Sequence, residues 1–154
     1  MQRIDWLEER DEELWGALWA FITWVPEQLD RHLKRTSSVA LPEFLTMLAI
    51  ARNDNTITMS RLARWARMSP SRLSHVMDRL ERRGLTERLR NSEDRRSTYA
   101  VLTPEGQELL AEAAPPVMER MRESIFEVLT PEEAEQLTGI LRKMLKRGKQ
   151  QIIG

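Results

Sequence analysis

The chain has 154 residues, 41% of them hydrophobic, and no cysteine. This apolar content is sufficient for a folded core, and the lack of cysteine excludes disulfides, zinc–thiolate sites and switches based on cysteine oxidation. The longest uncharged stretch, residues 14–26, has 13 residues, whereas a membrane helix needs roughly 20. Because no basic segment followed by an apolar run opens the chain, we expect a cytoplasmic protein without a signal peptide or membrane contact.

Arginine is concentrated in the middle of a chain whose formal net charge is zero. Residues 61–96 contain 11 arginines and 5 acidic residues, whereas the segments before and after them have net charges of −4 and −2. Because guanidinium groups bind phosphates and guanine edges through a planar fork of donors, this segregation favours a nucleic-acid partner. A solvated surface with i,i+4 ion pairs would have the same composition, so charge alone leaves both interpretations open.

The first predicted element is a helix over residues 4–34, in which apolar residues recur at intervals of three, four or seven. Between residues 14 and 25 the pattern is apolar nearly all round, and such a helix must be buried on several faces. We therefore expect a second subunit to cover part of it. Pro26 should kink this helix or restart it.

Pro42 is placed to open the next helix, which should end near Arg52. A turn at residues 53–55 and a short β-prone segment at residues 56–58 follow. The apolar residues of this helix that we expect to point inward are Phe44, Leu45, Leu48 and Ala49.

Residues 60–84 predict two short helices joined by a tight turn. Ser60 is placed to cap a helix over residues 61–67, and Ser69 and Pro70 suit the N-cap and first position of a helix that ends near residue 83. Gly84 can end that helix in the left-handed conformation. Two short helices connected in this way form a helix-turn-helix.

Two short strands, at residues 85–90 and 98–102, flank a polar loop at residues 91–97. Two helices followed by a hairpin form a winged helix-turn-helix. The predicted fold class is therefore mainly α with a small β-hairpin wing, in which a helical dimerisation region built from the N- and C-terminal helices accompanies the winged lobe.

Prolines mark the two helices that follow the wing. The first begins at Thr103-Pro104, and Pro115-Pro116 should break or kink it near its middle. The second begins at Thr130-Pro131 and ends near Lys149, with a capping box between Thr130 and Glu133.

The order and spacing of several motifs resemble the MarR (multiple antibiotic resistance regulator) family of bacterial and archaeal repressors. That family has Asp-x-Arg in the wing and Leu-Thr-x-x-Gly after it, and its recognition helix often carries Thr-Arg where this chain has Ser74-His75. The corresponding motifs here are Asp94-Arg95-Arg96, Leu102-Thr103-Pro104-Glu105-Gly106, Ser69-Pro70-Ser71-Arg72-Leu73-Ser74, Asp78-Arg79-Leu80 and Gly84-Leu85.

The resemblance implies a triangular homodimer in which the terminal helices of two subunits interlace and a winged lobe lies at each lower corner. Residues 1–40 would form the N-terminal dimerisation helix, residues 41–103 the DNA-binding lobe, and residues 104–154 the C-terminal helices that complete a single intertwined domain. The implied function is a sequence-specific transcription regulator, a repressor that binds double-stranded DNA at a palindromic operator.

A recognition helix places its N-terminal residues in the major groove. Arg72 is the candidate for a guanine contact because it can bond both acceptors of that base; the alternative is a solvated helix residue. His75 could donate to a base or phosphate at mildly acidic pH. The predicted DNA-binding residues of this helix are Ser69, Ser71, Arg72, Ser74, His75 and Arg79.

In the wing, Arg96 could reach a minor groove while Asp94 holds its guanidinium, although a plain surface ion pair is the alternative. The wing arginines expected to contact phosphates are Arg88, Arg90 and Arg95. A structural role is the alternative to DNA contact for three arginines at the end of the recognition helix. Ion pairs with Asp78, Glu81 or Glu87 would then involve Arg79, Arg82 and Arg83.

Family ligands often bind between the dimer helices and the winged lobe and are often aromatic or phenolic. The resemblance therefore implies a small-molecule effector that could release the DNA. The segments that could line its pocket carry Trp15, Trp19, His32 and Phe44, for which ordinary core and dimer packing is the alternative.

Three other interpretations compete with a ligand-responsive repressor. A winged-helix module could bind protein rather than DNA, or the chain could belong to another dimeric winged-helix family. An enzyme is disfavoured because the sequence has no Gly-rich phosphate loop, no zinc-ligand spacing and only two histidines, far apart. We expect no catalytic residue, metal or cofactor.

Overall fold

The computed structural model describes residues 8–90 and 97–152, with side chains described as far as residue 147. The elements in chain order are α1 (Glu9–Thr36), α2 (Leu41–Ala51), β1 (Thr56–Thr58), α3 (Met59–Ala66), α4 (Pro70–Arg82), β2 (Thr86–Arg90), β3 (Thr98–Leu102), α5 (Pro104–Met121), a π-helical segment (Arg122–Phe126) and α6 (Pro131–Ile152). The chain divides into two compact units, Met1–Pro115 and Pro116–Gly154. None of the helices in the described ranges combines the length and apolar character needed to cross a membrane.

The predicted fold class, mainly helical with a small antiparallel hairpin, is confirmed. The sheet has one strand more than the predicted wing, because β1 pairs with β3 and gives the order β1-β3-β2. Ile57 lies opposite Ala100 in one ladder and Arg88 lies opposite Ala100 in the other. The hairpin is thus joined directly to the segment that precedes α3, which attaches the wing to the helix-turn-helix.

Helix α2 lies at the centre of the winged lobe, and most of its circumference is buried. Its buried residues include Phe44 and Met47, but also the polar side chains of Glu43 and Thr46. The hydroxyl of Thr46 donates to the carbonyl of Pro42 at 2.7 Å, which satisfies a polar group inside the core. Leu45, predicted to point inward, is instead exposed, because the polar residues Glu43 and Thr46 occupy the inner side.

The caps of α3 and α4 explain where these two helices begin. The backbone passes from β1 straight into α3, so the hydroxyl of Thr58 accepts the N–H of Arg61, and the predicted cap at Ser60 is wrong. The predicted cap of α4 is confirmed, since Ser69 Oγ accepts the N–H of Arg72 at 3.2 Å. Gly84 follows α4 with φ +71°, the left-handed conformation that a non-glycine residue adopts only at a cost.

Neither α1 nor α5 is interrupted by the prolines inside it. Helix α1 continues through Pro26 from Glu9–Thr36, and α5 continues through Pro115 and Pro116 over Pro104–Met121. A restart in α1 and a break in α5 are therefore wrong, whereas the alternative prediction of a kink at these prolines stays a prediction. In α1, Val25, Leu29 and Leu33 are buried beside and after the proline. Their packing stabilises the helix across the missing hydrogen bond.

A carboxylate near the end of α1 fixes the start of α2. Asp30 Oδ1 accepts the N–H of Leu41 at 2.8 Å, and its other oxygen lies 2.7 Å from Lys34 Nζ. Partial burial raises the pKa of Asp30, but the hydrogen bonds from Lys34 and Leu41 and the charge of Lys34 together bring it below 3.8. The ionised carboxylate therefore stabilises the fold above that pH, and this contribution is lost as the pH falls through the lowered pKa.

The first part of α1 leaves a large apolar surface uncovered by the described chain. Six apolar side chains there are between about half and two-thirds exposed: Leu14, Trp15, Trp19, Phe21, Ile22 and Trp24. In the second unit, α6 has its own exposed apolar residues, among them Ile140 and Leu145. Exposed apolar patches of this kind mark protein–protein or membrane interaction sites or ligand-binding grooves.

The Leu-Thr-x-x-Gly motif joins α5 to the turn that follows α4. Thr103 Oγ1 donates to the carbonyl of Gly84 at 2.7 Å and accepts the N–H of Gly106 at 3.1 Å. A methyl group on Gly106 would lie 2.1 Å from the carbonyl oxygen of Leu85 and 2.8 Å from a methyl of Leu102. Only glycine therefore allows this close approach.

We predict that Gly106→Ala lowers the free energy of unfolding by about 1–3 kcal/mol, because the backbone at Leu85 must move to admit the methyl group. Urea unfolding at a fixed protein concentration measures the change. The control is Glu108→Ala, an exposed change on the same helix that should stay within about 0.5 kcal/mol. Equal stability of the two variants would show that the close approach at Gly106 is unimportant.

Candidate nucleic-acid interface

Helix α4 has one apolar face and one polar face, which decides what it presents to solvent. Leu73, Val76, Met77 and Leu80 are buried in the lobe. The residues on the opposite face are exposed to solvent: Ser71, Arg72, His75, Asp78 and Arg79. The packing of the helix therefore turns its polar leading end outward.

A groove of about 350 Å³ lies at this leading end, between α4 and the start of α2. Five of the six residues predicted to bind DNA from this helix line it: Ser69, Ser71, Arg72, His75 and Arg79. The Ser69 cap bonds the backbone N–H of Arg72, the third residue of the helix, and so fixes the position of its Cα. The groove thus combines two guanidinium groups, an imidazole and hydroxyls, all groups that bond base edges or phosphates.

The sixth residue, Ser74, contributes to a different set of hydrogen bonds. Its carbonyl oxygen and hydroxyl accept hydrogen bonds from Arg88 Nη2 at 3.0 and 3.3 Å. Arg88 Nη1 also pairs with Asp78 at 2.8 Å and with Glu81. Arg88, predicted as a phosphate contact, therefore ties strand β2 to α4 through three residues of that helix, and its role toward phosphate stays a prediction.

Of the remaining predicted wing residues, the structure describes only Arg90. Arg90 is exposed at the end of β2 and extends the arginine-rich surface. Asp94, Arg95 and Arg96 lie outside the described residues, so their predicted contacts are not placed.

The four candidate effector residues occupy different environments. Trp15 and Trp19 stack on the exposed part of α1, with ring centroids 5.8 Å apart. Phe44 is fully buried in the lobe core. Both ring nitrogens of His32 are buried without a hydrogen-bond partner in the described part of the chain. A ligand-binding role for these residues stays a prediction.

The acidic partner of Arg79 and Arg83 is Glu43 of α2, a residue that no sequence motif singles out. Arg79 Nε lies 2.7 Å from Glu43 Oε1, and Arg83 Nη1 lies 3.8 Å from the other oxygen. The carboxylates of the suggested partners Asp78 and Glu81 pair with Arg88 instead. Arg82 Nε donates to the backbone carbonyl of Asp78 at 3.1 Å. The sequence signal for Glu43 is only its position in the first turn of α2, which predicts a cap and not a tertiary ion pair.

Comparisons with known proteins agree with this architecture. A family model described as MarR family matches residues 40–98. Sco3205, a MarR family transcriptional regulator from Streptomyces coelicolor solved in complex with DNA, is 31% identical, with 95% of this chain and 91% of that chain covered and a TM-score of 0.87. No curated protein sequence matches the chain.

Two further solved structures are similar over almost the whole chain. AbsC, a MarR family transcriptional regulator from Streptomyces coelicolor, has 26% identity, coverage of 96% of this chain and 99% of that chain, and a TM-score of 0.89. NadR, solved in complex with 4-hydroxyphenylacetate, has 27% identity, coverage of 94% and 97%, and a TM-score of 0.66.

We predict that Arg88→Ala lowers the free energy of unfolding by about 1.5–3 kcal/mol, because it removes charge-assisted hydrogen bonds and leaves two neighbouring carboxylates without their counter-ion. Urea unfolding at fixed protein concentration is the measurement. Arg90→Ala is the matched control on the same strand; in the described ranges Arg90 makes no ion pair, so a change within about 0.5 kcal/mol is expected. If both variants unfold alike, Arg88 does not fasten the wing.

Proposed function

The chain belongs to the MarR family of transcription regulators, and from this premise we propose that it represses transcription by binding a palindromic operator as a homodimer. The observation that carries the proposal is the groove at the leading end of α4, where Arg72, His75 and Arg79 meet the hydroxyls of Ser69 and Ser71. The 31% identity to a regulator solved with DNA, over nearly the whole chain, supports a duplex as the ligand. Such a regulator acts on DNA in the cytoplasm and catalyses no reaction.

Base recognition would begin at Arg72. This exposed side chain starts from the first turn of α4, whose insertion into a major groove brings N-terminal residues closest to the bases. A guanidinium can bond guanine O6 and N7 together, which discriminates this base by about 1–3 kcal/mol. Ser71 and His75 lie on the same face and would contact neighbouring bases or phosphates.

The wing would supply contacts on the flanks of each half-site. Arg90 is exposed and available to a phosphate, and we extend the same role to Arg95. Arg96 would enter the minor groove with Asp94 orienting its guanidinium, as the family motif implies. Arg88 would act chiefly by holding β2 against α4, since its guanidinium already has acceptors on Ser74, Asp78 and Glu81.

The exposed tryptophans of α1 support a homodimer. Trp15, Trp19 and Trp24 lie in a segment whose apolar surface would be costly in water. A second copy with the same surface would bury it, and an obligate interface of this kind covers on the order of 2,000 Å² or more. Two recognition helices would then face half-sites one helical turn apart, roughly 34–36 Å.

An aromatic or phenolic effector would regulate the DNA affinity. NadR was solved with 4-hydroxyphenylacetate, a phenolic acid, which supports this ligand class. The candidate residues are Trp15, Trp19, His32 and Phe44. A ligand that binds one spacing of the two lobes more tightly than another shifts the population toward that spacing and changes the affinity for DNA.

The experiment for DNA recognition is a selection from random duplexes, read at two salt concentrations. We expect wild-type protein to select a two-fold symmetric site and to bind it less tightly as salt rises. Arg72→Ala should lose the preference for one guanine in each half-site, at a cost of about 1–3 kcal/mol for that base. Arg82→Ala, an exposed change at the other end of α4, is the control and should leave the base preferences unchanged.

Two outcomes would count against this account. An unchanged preference in the Arg72→Ala variant would remove its role in reading bases. Wild-type protein that binds no duplex at any salt concentration would overturn the proposed function and favour a winged-helix module that binds protein.

The dimer has a separate test by sedimentation. We predict a dimer at micromolar concentration, and Trp19→Glu should shift it toward monomer because a charge enters an apolar interface. Trp65→Glu is the control, since Trp65 is also an exposed tryptophan but lies on α3 in the winged lobe. Monomeric wild-type protein would refute the dimer.

A further inference from the structure

A buried carboxylate stands between α2 and the recognition helix. Glu43 is only 6% exposed. One of its oxygens accepts the N–H of Ala40 at 2.9 Å, and the other accepts from Arg79 Nε at 2.7 Å. Burying a carboxylate carries a desolvation cost that only such bonds offset, so this side chain is retained in the core for contacts that an apolar residue could not make.

Capping α2 does not require this arrangement. At the start of α6 the same backbone bond is made by Glu133, whose carboxylate accepts the N–H of Thr130 at 2.9 Å while remaining exposed to solvent. Glu43 performs the same capping with one oxygen and uses the second to hold Arg79. The difference between the two glutamates is the bond to α4.

Arg79 connects this carboxylate to the recognition groove. It lines the groove shared with Ser69, Ser71, Arg72 and His75, and it also lines a neighbouring cavity of about 320 Å³ that contains Glu43. Its side chain is 44% exposed. Within the described ranges, its hydrogen bond to Glu43 uses Nε and leaves both terminal nitrogens available.

A guanidinium fixed at Nε can present its two terminal nitrogens as a fork, the geometry that matches a phosphate. Arg83 lies near the second oxygen of Glu43 and donates to the carbonyl of Ser38 at 2.8 Å, which ties α4 to the α1–α2 connection. With two arginines around one carboxylate, the cluster keeps a net positive charge. An approaching phosphate is therefore attracted and not repelled.

We propose that Glu43 is a positioning residue for DNA recognition: it orients Arg79 so that its terminal nitrogens contact a backbone phosphate beside the recognition groove. This inference rests on the proposed function and adds to it the group that aligns one of the phosphate-binding arginines. Glu43 itself does not touch the DNA.

The test is the salt dependence of duplex binding by the full-length protein, measured with one selected operator. The slope of log K against log salt changes by about 0.9 for each phosphate that the protein no longer neutralises, or about 1.8 for a symmetric dimer. Arg79→Ala should flatten the slope by this amount and weaken binding by about tenfold per protomer. Glu43→Gln should flatten it equally, because the amide has an NH2 donor in place of one of the two oxygens that accept from Ala40 and Arg79.

The double variant separates positioning from a merely structural role. If Glu43 acts through Arg79, the double variant should bind like Arg79→Ala alone, with no further change in slope. A loss of folded protein would lower the active fraction and leave the slope unchanged. The control is Glu27→Gln, which removes an exposed ion pair with Arg31 on α1 and should bind like wild type.

Different outcomes would refute the positioning role of Glu43 and the proposed function in DNA binding. Wild-type protein that binds no duplex would refute the proposed function. Wild-type binding with an unchanged slope in either Glu43→Gln or Arg79→Ala would refute the positioning role alone. If Glu43→Gln does not fold, Glu43→Asp is the second variant: its carboxylate is one methylene shorter and cannot reach both Ala40 and Arg79, so a flattened slope supports the role and a wild-type slope overturns it.

Discussion

The packing of α4 against α2 is the constraint on which the rest of the lobe depends. Leu73, Val76, Met77 and Leu80 are buried against the lobe core, so the rotation of α4 about its axis is fixed. That rotation places Arg72 and the other polar residues of the leading end along one open groove. A small rotation would bury some of these side chains and expose apolar ones, at a cost of about 25 cal/mol for each Å² of apolar surface exposed.

Ion pairs on both sides of α4 reinforce this packing and divide the arginines into two groups. On the α2 side Glu43 holds Arg79, and on the wing side Arg88 bonds Asp78 and Glu81. Some arginines in the middle of the chain are therefore used in ion pairs between elements of the lobe, and others are exposed on its surface. Arg72 is exposed and makes no ion pair within the described ranges, which explains how a protein of zero net charge can present a basic surface to one partner.

Local signals could be read from the sequence, and tertiary partners could not. The cap at Ser69, the left-handed Gly84 and the capping box at Thr130 depend on neighbouring residues, and all three were predicted correctly. Ser60 was wrong because strand pairing fixes the preceding backbone and brings Thr58 into the cap position. The pairing of Glu43 with α4 joins residues 36 positions apart, and no periodicity or motif predicts such an ion pair.

The central claim is that the leading end of α4 enters the major groove of a duplex. Methylation interference at guanine N7, which lies on the floor of that groove, tests it most directly. We predict that methylation of a guanine in each half-site blocks binding, with the two blocked positions about one helical turn apart. Undiminished binding to duplexes methylated at every guanine of the selected operator, one guanine at a time, would contradict it.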